Sequence, residues 1–166
     1  MASEFSDVEK AYHEAGHATV AIALCVGIES VTIIPDHEFA GHVVPGQSIA
    51  EAHPAVVCSM KLAGALAAAT HRLRTLDDSA LIGAESDIES IQYIVGLLID
   101  PSQRENFLSG VIRLSIQLLN QYWPAVVLIA TALMDRKTLT GEQARDIFLF
   151  SQASQEERER LCNPRQ

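Results

Sequence analysis

The chain has 166 residues, 48% of them hydrophobic, which suits one domain with a core of its own. A formal net charge of −9 and the lack of any Lys/Arg-rich block argue against nucleic acid as a partner. Three widely spaced cysteines, Cys25, Cys58 and Cys162, with no C-x-x-C pair, exclude a disulfide framework and point to a reducing compartment, with Cys25 and Cys58 expected in the core.

The first residues, Met1 to Asp7, are acidic and lack the charged-then-apolar layout of a signal peptide, so a cytoplasmic location is expected. Ser6 with Glu9 three residues on is a capping box, and Val8, Tyr12, Ala15, Ile22 and Val26 follow helical spacing up to Gly27. A first helix is therefore predicted over Asp7 to Val26. Within it lies His13-Glu14-Ala15-Gly16-His17. Side chains four apart share one helix face, so His13 and His17 can offer two ring nitrogens to one Zn²⁺ while Glu14 points toward the water completing the site. Zinc lowers the pKa of such a water to about 7 and polarises a scissile carbonyl. Glu14 would take the proton and pass it to the leaving amine, which is the chemistry of peptide-bond hydrolysis.

Ser30 to Ile34 is β-branched and bounded by Pro35, and Gly41 to Val44 precedes Pro45-Gly46; these are predicted as two short strands of a small sheet following the H-E-x-x-H helix. An edge strand beside the metal helix is a generic holder of extended peptide. Pro54 opens a second helix running to about Leu73, rich in Ala and Gly and interrupted by Lys61. Arg74 to Ala84 is polar and irregular. Ser86 with Glu89 reads as a capping box for a third helix through Leu98, which puts Asp87 in its first turn. Asp100-Pro101-Ser102 breaks the chain before a helix from about Gln103 to Tyr122, and Pro124 ends or kinks it before Ala125 to Asp135. The apolar run Pro124 to Met134 is shorter than the roughly 20 residues of a membrane span, so none is expected. A last helix starts at Thr140 with Gln143 as box partner. The reading is a mainly α fold with one domain over residues 1–153 and a polar, frayed tail over 154–166.

A catalytic zinc site needs a third protein ligand. The pattern with a glycine three residues and a histidine six residues after the second histidine fails, because those positions are Val20 and Ala23. A carboxylate from a later helix remains, for which Glu85, Asp87 and Glu89 compete. A helix N-terminus favours a charged Asp87, but that residue is equally explained as a plain first-turn charge.

The motif Ala11-Tyr12-His13-Glu14-Ala15-Gly16-His17-Ala18, then Val31 to Pro35, Gly83-Ala84-Glu85-Ser86-Asp87-Ile88-Glu89 and Ala132 to Glu142 occur in the order seen in the peptidase domain of FtsH-type ATP-dependent zinc metalloproteases, and the chain resembles that domain over about residues 8 to 149. The resemblance implies a mainly helical zinc peptidase in which His13, His17 and Asp87 hold Zn²⁺ and Glu14 is the catalytic base. It also implies homo-oligomeric assembly. The chain lacks the family's G-x-x-x-x-G-K-[ST] phosphate loop, so its expected substrates are peptides or unfolded polypeptides, with a separate ATPase as a candidate partner. A further departure falls at Ala63-Gly64-Ala65-Leu66-Ala67-Ala68-Ala69, where the family typically reads Gly-Gly-Arg-Ala-Ala-Glu-Glu.

The leading expectation is a zinc-dependent metalloendopeptidase. Substituted Ala68 and Ala69 keep open a second reading, a non-catalytic zinc-fold module that docks to a partner ATPase, and hydrolysis of a non-peptide amide is a third. His37 and His42 flank the short sheet and could touch substrate or replace the aspartate, though solvated loop histidines explain them more simply. His53 reads as a loop or cap residue, His71 as the exposed end of the second helix, and Trp123 as core or an interhelix wedge.

Overall fold

Ser6 starts the first helix as its box predicts: its hydroxyl accepts from the Glu9 amide at 3.3 Å, and the Glu9 carboxylate accepts from the Ser6 amide at 3.1 Å. The computed structural model describes residues 6–35, 41–75 and 85–154. In chain order these form α1 (Asp7–Ala23), β1 (Ile28–Thr32), β2 (His42–Pro45), α2 (Pro54–Thr75), α3 (Glu85–Leu98), α4 (Arg104–Gln121), α5 (Trp123–Arg136), β3 (Thr138–Thr140) and α6 (Gly141–Gln152). The molecule is mainly helical with one small antiparallel sheet.

α1 is the central element. Ala11, Ala15, Ala18, Val20 and Ala21 are all buried, because α2 and α5 pack along it and the sheet lies against it. Small residues make that possible. A Cβ on Gly16 would lie 2.5 Å from the Ala63 carbonyl oxygen and 2.6 Å from Ala67 Cβ, so α1 and α2 meet backbone to backbone there. Met60, Ala63 and Ala67 of α2, Val126, Ile129 and Leu133 of α5, and Val31 and Leu139 of the sheet complete the main core. A second, smaller cluster of Cys58, Ile91, Val95 and Val111 joins α2 to α3 and α4.

The sheet has the order β2-β1-β3, with Val31 opposite Val43 on one side and Leu139 on the other. Two strands were expected and three form. β3 comes from the far end of the sequence and is fixed by Thr32, whose hydroxyl lies 2.7 Å from that of Thr138. The strands also begin and end elsewhere than their composition suggests: β1 covers Ile28–Thr32, leaving Ile34 exposed beyond it.

Helix ends supply further corrections. α1 stops at Ala23, not Val26, because Cys25 takes a left-handed conformation (φ 60°) and the Val26 amide donates back to the Ala21 carbonyl at 2.9 Å. This is a Schellman closure with cysteine in the usual glycine position. Cys25 is thereby exposed rather than in the core, whereas Cys58 is buried; Cys162 lies outside the described residues. Ser86 does not cap α3, which is already helical at Glu85; its carbonyl instead accepts from the Ser90 hydroxyl at 2.8 Å. Pro124 sits in the first turn of α5, and the chain from Pro101–Gln121 into Trp123–Arg136 turns through 75°. Thr140 and Gln143 form the expected capping box of α6. Among the described residues, no single helix is long and apolar enough to cross a membrane.

Candidate metal centre

α1 places His13 and His17 one turn apart, facing α2 and the start of α3. Their Nε2 atoms lie 2.9 Å apart, and Asp87 Oδ2 stands 3.2 Å from the first and 3.1 Å from the second. The edge of a tetrahedron around zinc with bonds of about 2.0–2.1 Å is about 3.3 Å. The three atoms therefore close to roughly one face of such a tetrahedron, and His13, His17 and Asp87 form a group that could hold a metal ion.

Hydrogen bonding reinforces the fit. His17 Nδ1 lies 2.7 Å from the Met60 carbonyl oxygen, which can only accept, so Nδ1 carries hydrogen and the lone pair of the neutral ring is left on Nε2, facing the trio. Gly64 makes room for that ring, since a Cβ there would collide with the His17 imidazole. Asp87 Oδ1 turns the other way and accepts from Lys61 Nζ at 3.2 Å.

Charge follows from this packing. Burial opposes ionisation of Asp87, but hydrogen bonds from His13 and His17 override it and hold the carboxyl well below the usual range. For His13, burial and the neighbouring His17 charge lower the pKa. For His17 burial also disfavours the cation, yet its hydrogen bond to Asp87 and that carboxylate's charge prevail, and the net shift is upward. The chemistry is that of electron-pair donors around a negative oxygen, which a divalent cation satisfies.

Glu14 lies beside the trio and is 5% exposed. Burial pushes its carboxyl up to about 7. Among the described residues its Oε2 has no hydrogen-bond partner, while Gly41, at the entrance to β2, comes so close that a Cβ there would stand 3.0 Å from Oε1. A buried carboxylate oxygen without a partner there, next to three convergent ligand atoms, leaves a hydrogen-bond acceptor directed at the centre.

Of the competing carboxylates, Glu85 and Glu89 are exposed and only Asp87 of that stretch is buried. His42 opens β2 outside the trio, and His53 accepts from the Ala55 amide at 3.2 Å at the start of α2. His71 is not the exposed helix end that was expected: its ring stacks on Tyr12 at 3.7 Å, and Tyr12 in turn faces Trp123 at 6.1 Å. His37 lies outside the described residues. Met60, Lys61, Gly64 and Gly41 carry no local signal as supports of the centre, because each acts through a contact between elements distant in the chain. Ala68 is buried in α2. Comparison with protein-family models gives no match, and comparison with curated proteins gives none.

Proposed function

We propose that this protein is a zinc-dependent endopeptidase acting on peptides or unfolded polypeptides, built like the peptidase domain of FtsH-type metalloproteases. The observation that carries the reading is the convergence of His13 Nε2, His17 Nε2 and Asp87 Oδ2 beside the buried Glu14 carboxylate, whose Oε2 has no hydrogen-bond partner among the described residues. A zinc ion bound there would supply Lewis acidity for a peptide carbonyl and for the attacking water. Glu14, buried beside the three ligand atoms, is the residue that would accept a proton from the water and return it to the leaving amine, the charge of a bound ion favouring its carboxylate form. Met60 and Gly64 keep the His17 ring in register, and Lys61 neutralises the outer oxygen of Asp87.

β2 supports a substrate path. It is an edge strand of the sheet among the described residues, and Gly41 at its entrance leaves no room for a side chain beside Glu14. An extended peptide added to this edge by main-chain hydrogen bonds would pass the base without its side chains being read closely. Unfolded chains suit such a groove, and a separate ATPase would be needed to present folded ones.

The test is zinc content and casein cleavage of the wild type beside Glu14→Gln. One zinc per chain in both proteins, with cleavage lost in the variant, is the expected result. Zinc in both with cleavage in neither replaces the enzyme by a zinc-fold binding module, and absence of zinc from the wild type ends the metal-centre reading.

A further inference from the structure

We infer that Lys61 is a positioning residue of the metal centre, holding Asp87 so that it offers one oxygen to the ion and keeps the other away. The inference rests on the reading of His13, His17 and Asp87 as ligands. The Asp87 carboxylate is divided between two environments. Oδ2 faces both imidazole Nε2 atoms at 3.2 and 3.1 Å, while Oδ1 lies 3.2 Å from Lys61 Nζ.

A carboxylate beside a divalent cation can bind through one oxygen or two, and the two modes differ by a modest rotation of the group. An ammonium on the outer oxygen opposes that rotation, because swinging Oδ1 inward would break a charge-assisted hydrogen bond. The consequence is a vacant coordination position. A catalytic zinc with three protein ligands needs its fourth position for water or substrate, and a second oxygen from Asp87 would crowd it. Lys61 also draws negative charge toward Oδ1, which leaves a bound ion more of its own charge.

The placement of Lys61 supports this role over that of a solvated surface lysine. It follows Met60, whose carbonyl holds His17, and precedes by three residues Gly64, which accommodates the His17 ring. One turn of α2 therefore addresses a ligand from α1 and a ligand from α3 together. The Lys61 side chain remains 37% exposed, so it reaches the carboxylate from the solvent side and not from the core. Asp87 is the partner of its ammonium among the described residues.

The experiment replaces zinc by Co²⁺, whose visible absorption is intense in four-coordinate sites and weak at higher coordination. Wild type is expected to give the intense band, Lys61→Met to lose most of it while still binding Co²⁺, and Lys61→Arg to restore it, because Arg also donates to a carboxylate. Lys61→Gln is a second neutral variant should Lys61→Met fail to fold, with far-UV circular dichroism as the check. Spectra of the neutral variant and wild type that superimpose overturn the role of Lys61 and leave the metal centre intact. Failure of the wild type to bind Co²⁺ or Zn²⁺ overturns both together.

Discussion

Glu14 occupies an expensive position. Burial raises its carboxyl from 4.5 to about 7, so the folded metal-free protein binds a proton there that the unfolded chain would release. The stability linked to this group is fully present below about pH 4.5 and is lost as the pH rises through about 7. A shift of that size corresponds to about 3 kcal/mol. Metal-free Glu14→Gln is therefore expected to exceed metal-free wild type by up to about 3 kcal/mol near pH 8, with the gap closing near pH 4.5; urea unfolding at the two pH values measures it, and a gap independent of pH would contradict it. His17 makes the complementary case. Its pKa is raised by Asp87 despite burial, so a metal ion bound there would compete with a proton for the ring. Zinc affinity is expected to weaken as the pH falls toward and below the raised value, with proton release on binding seen by calorimetry in buffers of different ionisation enthalpy. At this scale the sequence announced the residues on a single helix and little else. His13, Glu14 and His17 follow from helical spacing alone. Nothing local separates Asp87 from Glu85 and Glu89; the resemblance selected it, and the fold supports that choice by burying Asp87 and exposing the other two.

Among the elements, α1 and α2 are joined by atoms that are missing. Gly64 leaves space for the His17 ring, and Gly64→Ala is expected to push the imidazole off its Met60 bond and weaken zinc binding about 10- to 100-fold in competition with a chelator. An unchanged affinity would mean that α2 shifts to absorb the methyl. The end of α1 offers a change of opposite sign. Cys25 holds φ 60° where glycine carries no steric penalty, so Cys25→Gly is expected to stabilise the protein by about 0.5–1 kcal/mol in thermal unfolding. Capping boxes at Ser6 and Thr140 were readable because their partners lie three residues away. β3 was not, since Thr138-Leu139-Thr140 is too short for a periodic signal and becomes a strand only through pairing with β1.

Across the whole molecule, the centre ties two bodies of unequal security. α1 lies in the main core, whereas α3 rests on the smaller cluster and leaves Ile88, Tyr93 and Leu97 exposed. Zinc bridging His13, His17 and Asp87 would connect them, adding about 4 kcal/mol at a free concentration a thousand times Kd. Chelation is accordingly expected to lower Tm and to speed amide exchange in α3 more than in α6; equal acceleration in both would show that the ion does not selectively secure α3.

The arrangement of the sheet bears on how the protein is made. β1 needs β3, and the Thr32–Thr138 contact spans 106 positions of sequence. During synthesis the histidine helix emerges before Asp87, and the last strand of the sheet emerges later still. A nascent chain therefore carries His13, Glu14 and His17 long before the sheet beside them is complete. The trio of His13, His17 and Asp87 and the sheet beside it can therefore be complete only once Thr140 has emerged, and a shorter nascent chain holds the histidine helix without its full surroundings.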